Sequence, residues 1–178
     1  MLALLLALPL FYALWVGVAP VTQRFEATDP QVADNLRLEM WKDATTLIRE
    51  NPLLGTGLGT YYTISPRFQT HFFQYRIDHA HNDYLEWAAE LGVPAALLLF
   101  GSLWWLTFRL ARTIRHIEQR SDLVLAAGCC GALCSLLLHS LADFNTQIPA
   151  NAMILAWIAG TGTGLLARLT EVRPSSAQ

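Results

Sequence analysis

The stretch LGVPAALLLFGSLWWLTF, residues 91–108, carries no charge over 18 positions and ends at Arg109. A helix of that length spans about 27 Å, close to the hydrocarbon core of a bilayer, which is about 30 Å thick. Three further apolar stretches without acidic or basic charge, residues 2–21, 123–142 and 148–167, have the same character. Barrel strands would be about ten alternating residues long, so these runs favour helices. The sequence therefore predicts an all-α membrane protein with about four transmembrane helices.

The composition agrees with a membrane protein and excludes several other classes. Of the 178 residues, 53% are hydrophobic and 15% are charged, whereas soluble domains carry about 25% charged residues. The formal net charge of −2 provides no basic field that would attract nucleic acid. The cysteines Cys129, Cys130 and Cys134 lie within one apolar run, which argues against both a disulfide framework and a zinc site.

The first apolar run has a second interpretation, a cleaved signal peptide. Such a peptide needs a basic segment followed by about 7–15 apolar residues. Met1 is followed directly by apolar residues, and the run from Leu2 to Val21 is longer than that. The sequence therefore favours a retained transmembrane helix.

The distribution of arginine predicts the orientation of the helices. Residues 109–122 hold four arginines and two acidic residues, and Arg168 and Arg173 follow the last apolar run. By the positive-inside rule both segments are cytoplasmic. Residues 24–90, with six basic and ten acidic side chains, are then external. The predicted order is a transmembrane helix (1–23), a large external loop (24–90), a transmembrane helix (91–108), a cytoplasmic loop (109–122), a transmembrane helix (123–142), an external turn (143–147), a transmembrane helix (148–167) and a cytoplasmic tail (168–178).

The large external loop contains signals for two helices. Asp29-Pro30 is a helix start, apolar residues then recur at helical spacing, and Asn51-Pro52 is a stop, which together predict an amphipathic helix over residues 31–50. We expect this helix to lie on the membrane surface or to pack on the spans. Asn82 or Asp83 can cap a second helix that continues through Leu91.

Three alternating glycines, Gly55, Gly57 and Gly59, resemble a phosphate-binding loop. The dinucleotide fingerprint requires a preceding strand and a following helix, and here a helix precedes the glycines. A nucleotide site is therefore disfavoured. We expect a tightly turning loop whose backbone can approach a ligand closely.

Potential metal ligands cluster at His71, Asp78, His79, His81 and Asp83. Three interpretations remain open at this point. A metal site would need ligand spacings that are not recognisable here. The histidines can instead cap a helix at the membrane surface. A histidine, whose ordinary pKa is about 6.5, can also take a proton from a hydroxyl nucleophile.

The loop arginines Arg37, Arg67 and Arg76 also have two interpretations. Surface arginines are mostly solvated or weakly paired, and Asp34 and Glu39 are close to Arg37 in the sequence. A guanidinium on a helix that rests on the membrane can also hold a lipid pyrophosphate through two parallel hydrogen bonds.

His139 and Asp143 flank the end of the third predicted span. Residues four positions apart share one face of a helix, so we expect the imidazole and the carboxylate to meet at its external end. Ionisable groups at membrane depth are functional candidates. A buried pair that only fixes the turn before Pro149 is the structural alternative.

Three stretches together resemble the O-antigen ligase and polymerase superfamily, which consists of polytopic glycosyltransferases of the bacterial inner membrane. They are RLEMWKDATTLIRENPLLGTGLGTYY from Arg37, HAHNDYLEWAAELGV from His79 and HSLADFNTQIPANA from His139. Superfamily members have more spans than this chain, so the resemblance implies the C-terminal part of such a protein.

The ligase motif of that superfamily is His, then Asn, Ser or Gln, nine residues, Gly, two residues, and then Gly, Thr or Tyr. His81 and Asn82, nine further residues and Gly92 match this motif. Ala95 departs from it at the last position.

The resemblance implies transfer of a glycan from undecaprenyl pyrophosphate to a lipid-linked sugar of the lipid A-core type, at the periplasmic face of the inner membrane. The chemistry adds two expectations. Direct displacement at the anomeric carbon inverts its configuration, and arginines that hold the pyrophosphate charge can replace a metal ion, so no cofactor is expected. In this interpretation His81 is the general base, and Arg37, Arg67 and Arg76 bind the donor pyrophosphate. The supporting residues are Asn82, His79, Gly92, His139 and Asp143. The implied partners are the two lipid-linked substrates and membrane lipids, and not nucleic acid.

Two other functions stay open. A polymerase of the same superfamily would join repeat units on one lipid carrier. A transporter or a non-catalytic membrane subunit is an alternative of another class. Transporters commonly show internal repeats and charges at the membrane midplane. This sequence shows no repeat, and its ionisable residues gather at the predicted external face and not at the midplane.

Overall fold

The computed structural model describes residues 30–70 and 77–171, with side chains from residue 36 onward. The predicted first span (1–23), the candidate residues His71 and Arg76, and residues 172–178 lie outside the described residues. The chain divides into two compact units, residues 1–38 and residues 39–178.

All regular structure in the described residues is helical, which confirms the predicted fold class. The elements are α1 (Pro30–Glu50), α2 (Tyr61–Ile64), a 3-10 helix (Ser65–Arg67), α3 (Asp83–Leu91), α4 (Val93–Ile114), α5 (Arg120–His139), a second 3-10 helix (Asn145–Gln147) and α6 (Pro149–Glu171).

The helices α4, α5 and α6 are long and apolar enough to cross a membrane. They pack into a bundle with one hydrophobic core, because each turns a stripe of aliphatic residues inward. The core residues are Phe100, Leu103, Leu106, Leu110, Ala126, Cys129, Leu133, Leu137, Leu155, Leu165 and Leu166. Large apolar side chains such as Leu98 and Trp157 are exposed on the outside of the bundle. An apolar exterior of this kind suits contact with lipid rather than water.

A small residue lets the three helices approach closely near one end of the bundle. A Cβ atom added to Gly162 would lie 3.0 Å from Leu110 Cδ1 and 3.7 Å from Cys129 Cβ. Glycine at such a crossing is typical of membrane helices, which associate through close backbone packing.

The helix α4 extends six residues beyond the point where its uncharged run ends, from Arg109 to Ile114. Arg109 and Arg112 do not interrupt it, because each guanidinium lies over an aromatic ring one turn back, at 5.1 Å from Trp105 and 5.4 Å from Phe108. Arginine is a good helix former, and only its charged end needs water. The charge pattern therefore underestimates the length of the helix.

The amphipathic helix expected over residues 31–50 is observed as α1, Pro30–Glu50. In its second half, Ala44 and Leu47 are buried in a small core with Tyr61, Ala80 and Ala89. The apolar face of this half thus packs on other parts of the segment before α3 and on α3 itself, whereas the sequence suggested the membrane surface or the spans.

The glycine-rich loop packs its backbone against the junction of α3 and α4. A Cβ atom on Gly55 would lie 2.3 Å from the Glu90 carbonyl, and one on Gly92 would lie 2.2 Å from the Leu53 carbonyl oxygen. The Gly57 N–H donates to the Glu90 carbonyl oxygen at 2.8 Å. The tight turn expected here thus brings the backbone against a helix end whose carbonyls need donors, and its approach to a ligand stays a prediction.

Candidate functional site

The candidate site is built around α3, and this helix explains the spacing of the sequence motif. The Asn82 side chain caps the helix by accepting a hydrogen bond from the Leu85 N–H at 3.2 Å. The nine residues that follow Asn82 form α3, and Gly92 ends it at a φ of 83°. His81 is thus placed immediately before the N-cap, and the glycine marks the helix end.

His81 adopts a φ of 49°, and it is the one non-glycine residue with positive φ in the part of the chain that the structure describes. This conformation is uncommon for residues with a side chain and costs about 1–2 kcal/mol. Its neighbours hold it in place. The Asn82 Nδ2 donates to the Leu141 carbonyl at 3.0 Å, and the Asp83 N–H donates to the Ser140 carbonyl at 2.9 Å. The turn after α5 therefore determines how His81 is presented.

Two histidine–carboxylate pairs lie side by side around Phe144. His81 Nδ1 is 3.2 Å from Asp143 Oδ1, and His79 Nδ1 is 2.7 Å from Glu86 Oε1. The His79 ring stacks on the Phe144 ring with 4.2 Å between centroids, and the His81 ring meets its edge at 5.0 Å. A carboxylate at Nδ1 selects the tautomer in which Nε2 is the free acceptor. Both histidines thus have the arrangement of an oriented base.

The environments of the two pairs differ. The Glu86 side chain is buried, and its second oxygen accepts the Ala80 N–H at 2.8 Å. The Asp143 side chain is 40% exposed and also accepts the Phe144 N–H at 2.9 Å. Burial raises the pKa of Glu86, and the hydrogen bonds from His79 and Ala80 oppose that rise. Glu86 therefore anchors the loop that carries the histidines, while the His81–Asp143 pair faces solvent.

Further buried contacts tie α3 to the turn after α5. Asp83 Oδ2 accepts the Thr146 N–H at 3.0 Å, and the Trp87 indole N–H donates to Thr146 Oγ1 at 2.8 Å. Burial raises the pKa of Asp83, and the hydrogen bond from the Thr146 N–H opposes that rise. At the other end of α3, buried Glu90 accepts the Tyr61 N–H at 2.9 Å.

Glu86 supplies a testable pH dependence of stability. Its pKa is raised above the ordinary value of 4.5, so the native state binds the proton more tightly than the unfolded chain does. The contribution to stability is present below about pH 4.5 and is lost as the pH rises through the raised pKa. Glu86→Gln keeps the shape and mimics the protonated acid. We expect this variant to lose less thermal stability than the wild type between about pH 4 and pH 8 in detergent.

The matched control for this prediction is Glu118→Gln, which removes an exposed carboxylate from the loop between α4 and α5. Its pH profile of Tm should follow that of the wild type. Identical profiles for Glu86→Gln and the wild type would show that the buried carboxyl is not linked to folding.

His139 and Asp143 do not form the pair that their spacing suggested. The helix α5 ends at His139, so Asp143 is not on the next turn of a helix. His139 Nδ1 instead contacts Asn145 Nδ2, and Asp143 turns to His81. The i, i+4 argument requires continuous helix, and the turn at residues 140–144 breaks it.

The predicted arginines occupy different parts of the chain. Arg37 is exposed on α1, in the first compact unit. Arg67 is exposed at the end of the first 3-10 helix, in the second unit. Neither guanidinium forms a hydrogen bond or an ion pair with a side chain of the described residues.

The described histidines and acidic residues do not converge on a metal site. Within residues 30–70 and 77–171, no group of three or more His, Cys, Asp or Glu side chains is placed to hold an ion. Of the predicted ligands, His79 and His81 are engaged in the two pairs around Phe144, and Asp83 accepts the Thr146 N–H.

Sequence reasoning did not identify Glu86 or Phe144 as parts of the site. Glu86 had the usual appearance of an acidic residue in the first turn of a helix, which the helix dipole favours. Phe144 lies in a short turn between two apolar runs. Its neighbours His79 and His81 are more than 60 positions away in the chain, and no local pattern records that contact.

Comparison with known families decides the class of protein. A family model described as O-antigen ligase matches residues 1–100, more than half of the chain. The chain belongs to the O-antigen ligase family. The match includes α3, the His81-Asn82 pair and Gly92. Neither the comparison with curated proteins nor the comparison with solved structures finds a match. Membership in this family supports a ligase or polymerase type of function on lipid-linked glycans, in a membrane protein.

Proposed function

We propose that the protein transfers a glycan from undecaprenyl pyrophosphate to a lipid-linked sugar acceptor of the lipid A-core type. The observation that carries this proposal is the His81–Asp143 pair, oriented at 3.2 Å beside the capped helix of the family motif. The site faces the periplasm, in a multi-pass protein of the bacterial inner membrane. The arginine excess of residues 109–122 at the far end of α4 supports that orientation.

His81 is the general base in this mechanism. Its Nε2 takes the proton from the acceptor hydroxyl while the hydroxyl oxygen bonds to the anomeric carbon of the donor. The bond from that carbon to the pyrophosphate breaks, and the electron pair leaves on the pyrophosphate oxygen. A single displacement inverts the configuration at the anomeric carbon. Asp143 stabilises the imidazolium that forms.

Arginines take the place of a metal ion at the leaving group. Arg37, Arg67 and Arg76 are the proposed pyrophosphate ligands, because a guanidinium offers two parallel donors to phosphate oxygens. The two that the structure describes, Arg37 and Arg67, are exposed and therefore accessible to a membrane-bound substrate. The arginines stabilise the negative charge that develops on the departing pyrophosphate, so it can leave without a divalent cation.

Substitution of Arg37 tests the donor side of the proposal. Arg37→Ala should raise the KM for undecaprenyl pyrophosphate glycan by roughly tenfold or more, because a hydrogen bond between charged groups is lost. Arg37→Lys should be more active than Arg37→Ala but less active than the wild type. The lysine ammonium keeps the positive charge but cannot offer two parallel hydrogen bonds to the phosphate. The measurement is transfer of a labelled glycan to lipid acceptor in membranes that contain the protein, with and without EDTA.

The control is Arg49→Ala, which removes an exposed arginine from the last turn of the same helix. Its KM should equal that of the wild type. Transfer that stops with EDTA and returns with one divalent ion would contradict the metal-free mechanism. Elongation of the glycan on its own carrier, without transfer to the acceptor, would contradict the ligase assignment in favour of a polymerase.

A further inference from the structure

A second candidate site lies at the end of the helix bundle that is remote from the histidine pairs. The helix α4 has 22 residues and, at about 1.5 Å per residue, carries the chain about 33 Å from one end to the other. At its C-terminal end, a cleft of about 650 Å³ opens between the ends of α4 and α6, the start of α5 and the connecting loop. None of the residues that form the cleft belongs to the proposed catalytic site.

The cleft carries unpaired positive charge. Its lining includes three arginines and two carboxylates. Arg168 is engaged, because it forms an ion pair with the buried Asp122. Arg109 and Arg112 form no ion pair with any described residue, and exposed Glu118 is the remaining acid of the lining. Two guanidinium groups one turn apart on α4 are thus available to an anion.

Aromatic rings hold these two arginines at the boundary of the apolar surface. Their guanidinium carbons lie 5.1 Å from the Trp105 ring and 5.4 Å from the Phe108 ring. Trp105 is 58% exposed and Phe108 is 57% exposed, so both rings are on the outside of the bundle. Aromatic and arginine side chains in this order along a helix are typical of the level where acyl chains meet head groups.

We propose that this cleft binds the head group of an anionic phospholipid. Arg109 and Arg112 hold the phosphate through charge-assisted hydrogen bonds. Trp105 and Phe108 contact the first part of the acyl chains. Basic pockets between membrane helices favour such lipids. The arginines attract the phosphate of the head group, and the acyl chains of the same lipid stay in the hydrocarbon core beside the pocket. The continuity of cationic and apolar surface favours a lipid over free phosphate, which could use only the arginines. This proposal is independent of the glycosyltransferase function.

The test is a titration of the purified chain in neutral detergent with dioctanoyl phosphatidylglycerol, followed by microscale thermophoresis. Parallel titrations use dioctanoyl phosphatidylcholine and inorganic phosphate. We expect saturable binding of the phosphatidylglycerol that is at least tenfold tighter than binding of either comparison ligand. Equal affinity for phosphatidylcholine would overturn the role of the charge, and equal affinity for inorganic phosphate would overturn the lipid as the ligand.

Paired variants with the same charge change separate the cleft from general electrostatics. Arg109→Gln with Arg112→Gln should weaken phosphatidylglycerol binding by roughly tenfold or more. Arg115→Gln with Arg120→Gln removes two neighbouring arginines that do not line the cleft, and it should leave the affinity within about twofold of the wild type. If both double variants weakened phosphatidylglycerol binding equally, the lipid would be attracted by all the arginines at this end of the bundle. That result would contradict a specific site in the cleft. The wild-type comparison of the three ligands decides the proposal even where a variant does not fold.

Discussion

Replacement of His81 by asparagine should lower the turnover of glycan transfer by about 10²–10⁴-fold, the usual contribution of a general base. Asparagine is the informative substitution because it tolerates positive φ better than most residues, and His81 has a φ of 49°. The variant thus removes the base and keeps the backbone. Transfer to lipid acceptor is followed on a gel, and protein in the membrane fraction is measured by blot. Donor binding should remain close to that of the wild type.

Two further variants test whether the lower turnover of His81→Asn reflects the loss of the general base. His79→Ala should be milder, since His79 is outside the motif position and its carboxylate partner is the buried Glu86. Asp143→Asn should reduce turnover less than the loss of His81, because the base is still present but less well oriented. Wild-type turnover in His81→Asn would reject the base assignment. A larger loss in His79→Ala than in His81→Asn would transfer that role to the His79–Glu86 pair.

Replacement of Gly92 by alanine should cost about 2–5 kcal/mol of stability, from a positive φ and an overpacked contact together. A Cβ atom there would lie 2.2 Å from the Leu53 carbonyl oxygen and 2.8 Å from the Leu54 nitrogen. These are backbone atoms, so no side chain can move aside. The helix end and the glycine-rich loop would have to separate, with a fall in Tm of roughly 5–15 °C in detergent.

Gly59→Ala is the matched control for this effect. Gly59 also has a positive φ, of 71°, but an added Cβ atom would meet nothing within 4 Å. Its substitution should cost only about 1–2 kcal/mol, the price of the backbone conformation alone. Similar losses of Tm in the two variants would show that the contact between Gly92 and Leu53 contributes nothing measurable.

The helices were predictable because their signals are local. Asp29-Pro30 and Asn51-Pro52 bracket α1, and the start and end of α3 follow from Asn82 and Gly92. Caps, proline and glycine act on the backbone within one or two turns. Hydropathy misplaced several helix ends. The helices α4 and α6 continue past the first arginine after their apolar runs, to Ile114 and Glu171, and α5 is observed at Arg120–His139 instead of 123–142. A charged side chain can remain helical when its end reaches water.

The partners of the site residues were less predictable. The sequence placed Asp143 with His139, four positions away, and the structure places it with His81, 62 positions away. Glu86 binds His79 and the Ala80 N–H because the loop before α3 folds back along that helix. Contacts of this kind depend on how α3 docks on the turn after α5.

The sequence by itself determined the helical class, the apolar stretches that suit a membrane, the helix between Asn82 and Gly92, and the family resemblance. Each of these follows from the order of neighbouring residues, whose propensities and periodicity act over short distances. Only the tertiary structure decided that His81 is held at positive φ against Asp143, that Glu86 supports His79, and that Phe144 contacts both histidine rings. These contacts form because packing of the α4–α6 bundle brings the turn after α5 against the start of α3, and no local pattern encodes that approach.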